Sequence, residues 1–156
     1  MTIASRPRYQ TLALDLTGTR HLFTSDHPAA TLGGAERWTL PLAALPARLA
    51  RERMGLRLYA LGTEPFLWDV AGIAEAAGMG CAEIQLQHAG SLRRRVQCVH
   101  CATVIEDVTT SIVPCPGCHA ALFVRDHFSR ALAAFQGVRV DAEIPGDIPT
   151  PEPIYR

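Results

Sequence analysis

The fold of this chain is decided by residues 98–118, CVHCATVIEDVTTSIVPCPGC. They contain two Cys-x-x-Cys pairs, Cys98 with Cys101 and Cys115 with Cys118, separated by the 13 residues 102–114. Each pair forms a tight turn, a knuckle, whose two thiolates point the same way, so two knuckles can converge on one ion. The spacing therefore predicts a tetrahedral metal site with four thiolate ligands.

Metal-free arrangements are the alternatives to this site: two disulfides, or reduced cysteines in a core. Short Cys-x-x-Cys disulfides are strained, and Met1–Gln10 do not form the charged-then-apolar leader of an exported protein. Metal binding is therefore the favoured interpretation. Zinc and a single iron ion both accept a tetrahedral all-sulfur cage, and the sequence leaves the choice between them open.

Three further residues could contribute to such a site. Cys81 lies in the turn Gly78-Met79-Gly80-Cys81 and is predicted to be buried and not a ligand. His100 lies inside the first knuckle and His119 follows the second, but four thiolates already fill a tetrahedron. The predicted ligands are Cys98, Cys101, Cys115 and Cys118.

The composition indicates a globular chain with no membrane segment. Its 156 residues are 48% hydrophobic and 19% charged, with a formal net charge of +0. This length suits one domain or two small ones. No apolar run approaches the roughly 18 residues that a membrane helix needs. We expect a cytoplasmic protein with no membrane partner.

Upstream of the knuckles, the hydrophobic pattern predicts an α/β order of elements. Strands are predicted at residues 9–16, 20–25, 57–61 and 82–87, and helices at 42–54 and 65–77. Thr63 is predicted to cap the second helix, which buries Phe66, Val70, Ile73 and Ala77 at helical spacing. Strand 57–61, helix 65–77 and strand 82–87 together predict a βαβ unit.

Downstream, the pattern predicts a small metal domain and a tail. Residues 103–113 are predicted to form a hairpin over the metal, and 121–124 a strand. Asp126 is predicted to cap a helix that ends at Gly137 and carries an apolar stripe of Phe128, Ala131, Leu132 and Phe135. Residues 138–144 alternate as in a strand. The proline-rich tail 145–156 is either disordered or an extended arm on another subunit.

The βαβ segment, residues 58–87, resembles the closing part of the nucleotide lobe of ferredoxin-reductase-like flavoproteins. Where that family has Cys-Gly-Pro before the helix, this chain has Leu61-Gly62-Thr63, and the glycine-rich pyrophosphate loop has no counterpart upstream. The resemblance implies a small Rossmann-like half-lobe that has lost its ligand. No cofactor-binding residue is therefore predicted there, because a fold does not imply a function.

Residues 115–149, CPGCHAALFVRDHFSRALAAFQGVRVDAEIPGDIP, resemble the C-terminal domain of the small subunits of bacterial dimethylamine monooxygenases. The resemblance implies a multi-subunit enzyme that uses NADPH and O2 to demethylate dimethylamine to methylamine and formaldehyde. It also implies haem-containing and reductase partner subunits, which carry the haem, FMN and 2Fe–2S cofactors. No catalytic residue is carried over to this chain.

The sequence thus predicts an α/β half-lobe at 1–92, a rubredoxin- or zinc-ribbon-like metal domain at 93–144 and an extended tail at 145–156. The expected role is a non-catalytic or electron-relay subunit. The second knuckle resembles that of rubredoxins, whereas the first is followed by Ala102 in place of their glycine. One alternative is a structural zinc-ribbon adaptor, and a less favoured one is a nucleic-acid binder using Arg93, Arg94 and Arg95; no nucleic-acid partner is expected.

Overall fold

A computed structural model of the chain describes residues 6–156, which divide into two compact units. Residues 8–90 form the first, here called the α/β unit. Residues 6–7 and 91–156 form the second, here called the ribbon unit. No helix among the described residues is long and apolar enough to cross a membrane.

The α/β unit is built on a parallel four-stranded sheet of order β2-β1-β3-β4. The strands are β1 (Arg20–Ser25), β2 (Glu36–Trp38), β3 (Leu56–Gly62) and β4 (Ile84–His88). Helix α1 (Leu45–Leu49) precedes β3, and helix α2 (Glu64–Ala76) connects β3 to β4. The α/β class and the βαβ unit are therefore confirmed, while its likeness to a reductase lobe stays a prediction.

Helix α2 buries a face that partly matches the predicted one, since Phe66 and Ile73 are half-buried and pack against the same core as Val70. Its buried residues are Leu67, Trp68, Val70, Ala71 and Ala74, so of the predicted set only Val70 is fully buried and Ala77 is exposed. Leu67 and Ala74 pack with Leu22 and Leu58 of the sheet. The most buried face of the helix is therefore shifted by one residue from the predicted positions Phe66 and Ile73. Thr63 occupies the predicted N-cap position of α2. Its side chain makes no capping hydrogen bond, because its hydroxyl donates to the carboxylate of Asp26 at 2.6 Å.

Two other predictions in this unit are corrected. Residues 9–16 do not form a strand, because one backbone hydrogen bond, from the N–H of Gln10 to the carbonyl of Leu86, does not make a ladder. Further along, the side-chain amide oxygens of Gln85 and Gln87 accept the N–H groups of Ala13 and Leu12. The predicted helix 42–54 is a 3-10 turn followed by the short α1. The side chain of Glu52, which follows α1, pairs with Arg20 and Arg48.

The ribbon unit contains a five-stranded sheet of order β6-β5-β9-β8-β7. Its strands are β5 (Arg94–Cys98), β6 (Val104–Val108), β7 (Ile112–Pro114), β8 (Ala121–Ser129) and β9 (Ala134–Arg139). β5 pairs with β6 and β7 pairs with β8 in two antiparallel hairpins. The predicted hairpin over 103–113 is wrong, since β6 and β7 lie at opposite edges of the sheet.

The predicted helix from Asp126 to Gly137 is also wrong, because these residues form the β8–β9 hairpin. Phe128 and Phe135 lie opposite each other, with ring centroids 5.0 Å apart in an edge-to-face pair. Asp126 does not cap a helix but pairs with Arg94 and Arg6. The strand predicted at 138–144 ends earlier, at Arg139.

The end of the proline-rich tail lies on its own unit, as neither predicted alternative described. The N–H groups of Ser111 and Tyr155 donate to the carbonyls of Glu152 and Thr109, at 2.8 and 2.9 Å. Tyr155 is buried, its ring stacks on the guanidinium of Arg94, and this burial raises the pKa of its phenol. The tail thus belongs to the folded ribbon unit.

Candidate metal centre

The two hairpins of the ribbon unit bring the four predicted cysteines together. Cys98 ends β5 and Cys101 lies in the turn to β6; Cys115 follows β7 and Cys118 lies in the turn to β8. Their sulfur atoms all lie within 4.8 Å of one another, and they are the group of possible metal ligands found among residues 6–156. His100 and His119 are not part of this group, and neither is Cys81, which is exposed rather than buried as predicted.

The spacing of the sulfur atoms fits one tetrahedral ion. A metal–sulfur distance of about 2.3 Å places thiolates about 3.8 Å apart along the edges of a tetrahedron. Cys98 and Cys118 are separated by 3.8 Å, and Cys101 and Cys115 by 3.5 Å. The four thiols are therefore close enough to bind one zinc or iron ion, and four soft donors suit either metal.

The two knuckles have the same backbone conformation. The N–H of Cys98 donates to Thr103 and that of Cys115 donates to Ala120, both at 2.9 Å. The N–H groups of Ala102 and His119 return to the carbonyls of Cys98 and Cys115, again at 2.9 Å. The absence of glycine after the first knuckle therefore does not change its shape.

Hydrogen-bond donors surround the sulfur atoms. The thiol of Cys101 donates to the hydroxyl oxygen of Thr103 at 3.1 Å. Once Cys101 is ionised, the same hydroxyl can donate to the thiolate, and with the backbone N–H of Thr103 it lowers the pKa of Cys101 to about 6. The N–H groups of Cys118 and Gly117 lower the pKa of Cys115. These donors stabilise negative charge on sulfur, which is the form that a metal ion binds.

Cys118 behaves differently from Cys101 and Cys115 when no metal is bound. The N–H of Ala120 lowers the pKa of Cys118, but burial and the neighbouring thiols of Cys115, Cys101 and Cys98 outweigh it and raise the pKa to about 11. Four adjacent thiolates cannot all be charged without a cation between them. Metal binding is therefore expected to release protons from this cluster.

Thr103 and Gly117 belong to the site, although the sequence pattern did not single them out. A Cβ atom on Gly117 would lie 2.2 Å from the hydroxyl oxygen of Thr103 and 3.1 Å from the sulfur of Cys101. Gly117 thus lets the second knuckle approach the first closely. No local signal in the sequence identifies them, because their contact forms only where the two knuckles meet.

We expect Thr103→Val to weaken metal affinity by about 10- to 100-fold, because the hydroxyl that orients and stabilises the Cys101 thiolate is lost. Gly117→Ala should act in the same direction, since its methyl group forces that hydroxyl away. Competition with a chromophoric chelator measures both affinities. Thr110→Val is the matched control, because its hydroxyl donates to the carbonyl of Ile112 away from the sulfur atoms. An equal loss in all three variants would contradict the assigned role of Thr103.

Ala102 and His119 both have a φ of 61°, in the left-handed region that glycine adopts most easily. We expect Ala102→Gly and His119→Gly each to stabilise the ribbon unit by about 1 kcal/mol, because a Cβ atom is strained in this conformation. Chemical denaturation of the metal-loaded chain measures the change. Ala120→Gly is the control and should destabilise, since Ala120 has no positive φ. A loss of stability in the first two variants would refute the prediction.

Comparison with known proteins finds similarity in the segment that carries the site. Residues 95–138 match the sequence model described as dimethylamine monooxygenase subunit DmmA-like, C-terminal domain. The heme-dependent oxidative N-demethylase delta subunit of Ectopseudomonas mendocina (strain ymp) is 40% identical over 101 residues, or 65% of this chain and 58% of that protein. The chain thus spans little more than half the length of this relative. No solved structure matches significantly. These matches confirm the predicted resemblance: the chain is similar to a small subunit of an oxidative N-demethylase or dimethylamine monooxygenase.

Proposed function

We propose that this chain is a non-catalytic subunit of a multi-subunit oxidative N-demethylase and that it holds one metal ion on Cys98, Cys101, Cys115 and Cys118. The observation that carries the proposal is the convergence of four sulfur atoms within a segment that matches a demethylase-subunit domain. The 40% identical delta subunit supports the same role. No residue of the chain is assigned to catalysis.

In the proposed complex, partner subunits bind the haem, FMN and 2Fe–2S cofactors and perform the chemistry. The reaction is the NADPH- and O2-dependent demethylation of dimethylamine to methylamine and formaldehyde. The name of the relative, a heme-dependent oxidative N-demethylase, supports the haem and the demethylation. The α/β unit is assigned no nucleotide in this scheme.

Electron relay is the first candidate for the role of the metal. Cys98 and Cys115 are buried, whereas Cys101 is exposed and Cys118 is half-buried, so the sulfur shell reaches the surface on one side. An iron ion in this site would supply one-electron chemistry close to that surface. The N–H and O–H donors to sulfur would tune its potential.

A structural zinc adaptor is the second candidate, and the topology of the ribbon unit favours it. The four cysteines lie at the turns of two separate hairpins, β5–β6 and β7–β8, so any ion that they bind cross-links both hairpins. Zinc would serve this role fully, because it adds folding energy and has no redox chemistry. The same four ligands would then present a rigid surface to larger subunits.

The nucleic-acid alternative depended on Arg93, Arg94 and Arg95, and the structure engages all three with carboxylates. Arg94 is buried and pairs with Asp126 at 2.9 Å, and Arg95 pairs with Glu106 at 2.6 Å. Arg93 makes a longer, exposed pair with Asp107. The triplet is therefore not a free basic patch of the kind that binds phosphates.

Metal analysis tests the proposal. The full chain is co-expressed with the partner subunits, co-purified and then separated from them, so that their cofactors do not obscure its visible spectrum. About one iron per chain with ferric-thiolate bands that bleach on reduction would make it an electron relay. About one zinc and no visible band would make it an adaptor. A chain without metal, or one that never co-purifies with a haem-binding subunit, would overturn the proposal.

A further inference from the structure

The α/β unit has a crevice at the carboxyl ends of its two central strands. β1 and β3 are neighbours, but the chain leaves β1 toward β2 on one side and leaves β3 toward β4 on the other. In open parallel sheets, ligands bind at the carboxyl edge where neighbouring connections diverge in this way. The topology therefore indicates a binding position at this edge.

A cavity of about 370 Å³ lies at the same edge of the sheet. Thr24 and Asp26 line it from the end of β1, Arg37 and Trp38 from the end of β2, and Phe66 from the first turn of α2. Small-molecule sites have volumes of about 300 to 1,000 Å³. The cavity is therefore large enough for a small molecule.

Arg37 gives this cavity a positive charge that pairs with no carboxylate of residues 6–156. Its Nη2 donates to the carbonyl of His27 at 3.2 Å, whereas its Nε is buried and makes no hydrogen bond. The other buried or half-buried arginines of this range all pair with a carboxylate: Arg48, Arg57, Arg94 and Arg95. A guanidinium without such a partner is suited to bind an oxyanion.

Two further polar groups of the cavity lack hydrogen-bond partners. The indole N–H of Trp38 is buried and makes no hydrogen bond. Thr24 is 3% exposed, and its hydroxyl has no hydrogen-bond partner among the described residues. Because buried polar groups are normally hydrogen-bonded, unpartnered groups that line one cavity point to a ligand that supplies acceptors.

Asp26 limits the charge of that ligand. Its carboxylate accepts the backbone N–H and the hydroxyl of Thr63 at 3.1 and 2.6 Å and lies 3.7 Å from Nε2 of His27. These contacts hold a negative charge in the cavity wall, apart from Arg37. A single carboxylate on the ligand matches Arg37, whereas a phosphate dianion would be repelled more strongly by Asp26.

The rest of the cavity wall is apolar. Trp38, Leu42 and Phe66 line it and pack against the hydrophobic core of the unit. Leu40 also lines it and is 58% exposed, so the cavity opens to solvent. A flat apolar group that enters it would lose water contact against the rings of Trp38 and Phe66, which is favourable.

We propose that this cavity binds a small monocarboxylate with a flat apolar body. The carboxylate lies on the guanidinium of Arg37, which can bind it through two parallel hydrogen bonds, and the body lies against Trp38 and Phe66. The unpartnered groups of Trp38 and Thr24 supply further donors. All of these residues lie in the α/β unit, so the site depends neither on the metal centre nor on the demethylase assignment.

Nuclear magnetic resonance of the zinc-loaded full chain tests the site, because the chain has two tryptophans, Trp38 and Trp68. The indole N–H of Trp68 donates to the hydroxyl of Tyr9 at 3.0 Å, so its signal is an internal reference. Benzoate is the probe. Benzamidine carries the same ring with a positive charge, acetate carries the carboxylate without the ring, and inorganic phosphate is the dianion. Each is titrated while both indole signals are recorded.

We expect benzoate to shift the Trp38 signal to saturation and to leave that of Trp68 unchanged, with the other three compounds binding at least about tenfold more weakly. Arg37→Met should weaken benzoate binding by a similar factor, whereas Arg51→Met, the control, removes an exposed arginine of the same unit and should not. Thermal unfolding verifies that both variants are folded. Benzamidine or phosphate binding as tightly as benzoate, equal shifts of both indole signals, or no shift at all in the parent chain would overturn the proposal, even if Arg37→Met fails to fold.

Discussion

Cys115→Ser is expected to abolish metal binding and to unfold the metal-binding half of the ribbon unit. Cys115 is 1% exposed and packs with Cys98 and Leu122, so its loss removes a ligand and leaves a polar group in the core. Four-thiolate sites of this kind contribute on the order of 10 kcal/mol to folding. Elemental analysis and protease digestion of the purified chain measure both effects.

The control for this substitution is Cys81→Ser, because Cys81 is exposed in the α/β unit and lies outside the sulfur cluster. It should keep the full metal content and the same protease resistance. A Cys115→Ser chain that retained a full equivalent of tightly bound metal would refute the four-thiolate site. Equal metal loss in both variants would show that the effect does not come from the cluster.

Arg94→Ala is expected to destabilise the ribbon unit by about 3 kcal/mol, through loss of a buried ion pair and of the stacking around it. The guanidinium of Arg94 lies 3.8 Å from the ring centre of Phe135 and 4.0 Å from that of Tyr155, and pairs with Asp126. The expected loss of stability lies at the low end of the range for broken buried ion pairs, because Asp126 is partly exposed. Urea denaturation of the metal-loaded chain measures the change.

Arg93→Ala provides the matched control from the same triplet. Arg93 and Asp107 form a pair 3.8 Å apart whose side chains are both mostly exposed, so its loss should change stability by no more than about 0.5 kcal/mol. Arg94→Lys should remain substantially destabilised, since an ammonium group keeps the charge but loses the flat stacking surface. Equal effects of Arg93→Ala and Arg94→Ala would contradict the buried role of Arg94.

The grouping of the four cysteines was predictable because ligand spacing is a local property of the sequence. Two Cys-x-x-Cys pairs must each form a knuckle, and a short connection leaves them near each other. The hydroxyl of Thr103 and the close approach at Gly117 were not predictable in the same way. Both depend on how the two hairpins meet, and the first hairpin joins the rest of the sheet through the pairing of β5 with β9, which are distant in the sequence.

The α/β unit was predictable where strand and helix alternate, and the ribbon unit failed where one spacing fits two structures. Phe128 and Phe135 are seven residues apart, which places them on one face of a helix and also opposite each other in a hairpin with a short turn. Arg94 decides between these structures, because it binds Asp126 and stacks on Phe135. That long-range contact has no signature in the local pattern.

Strand β9 lies between β5 and β8, so the two cysteine-bearing hairpins are joined by β9 as well as by the ligands of the metal site. The two connections differ in the loop that must close. Only the 13 residues 102–114 separate the two pairs of cysteines, whereas the pairing of β5 with β9 joins Val96 to Phe135 and closes a much longer loop. Shorter loops cost less entropy to close. We therefore expect a metal ion to join the two hairpins of a nascent chain before β9 is synthesised. Without the ion, the hairpins are joined to each other only after β9 is synthesised.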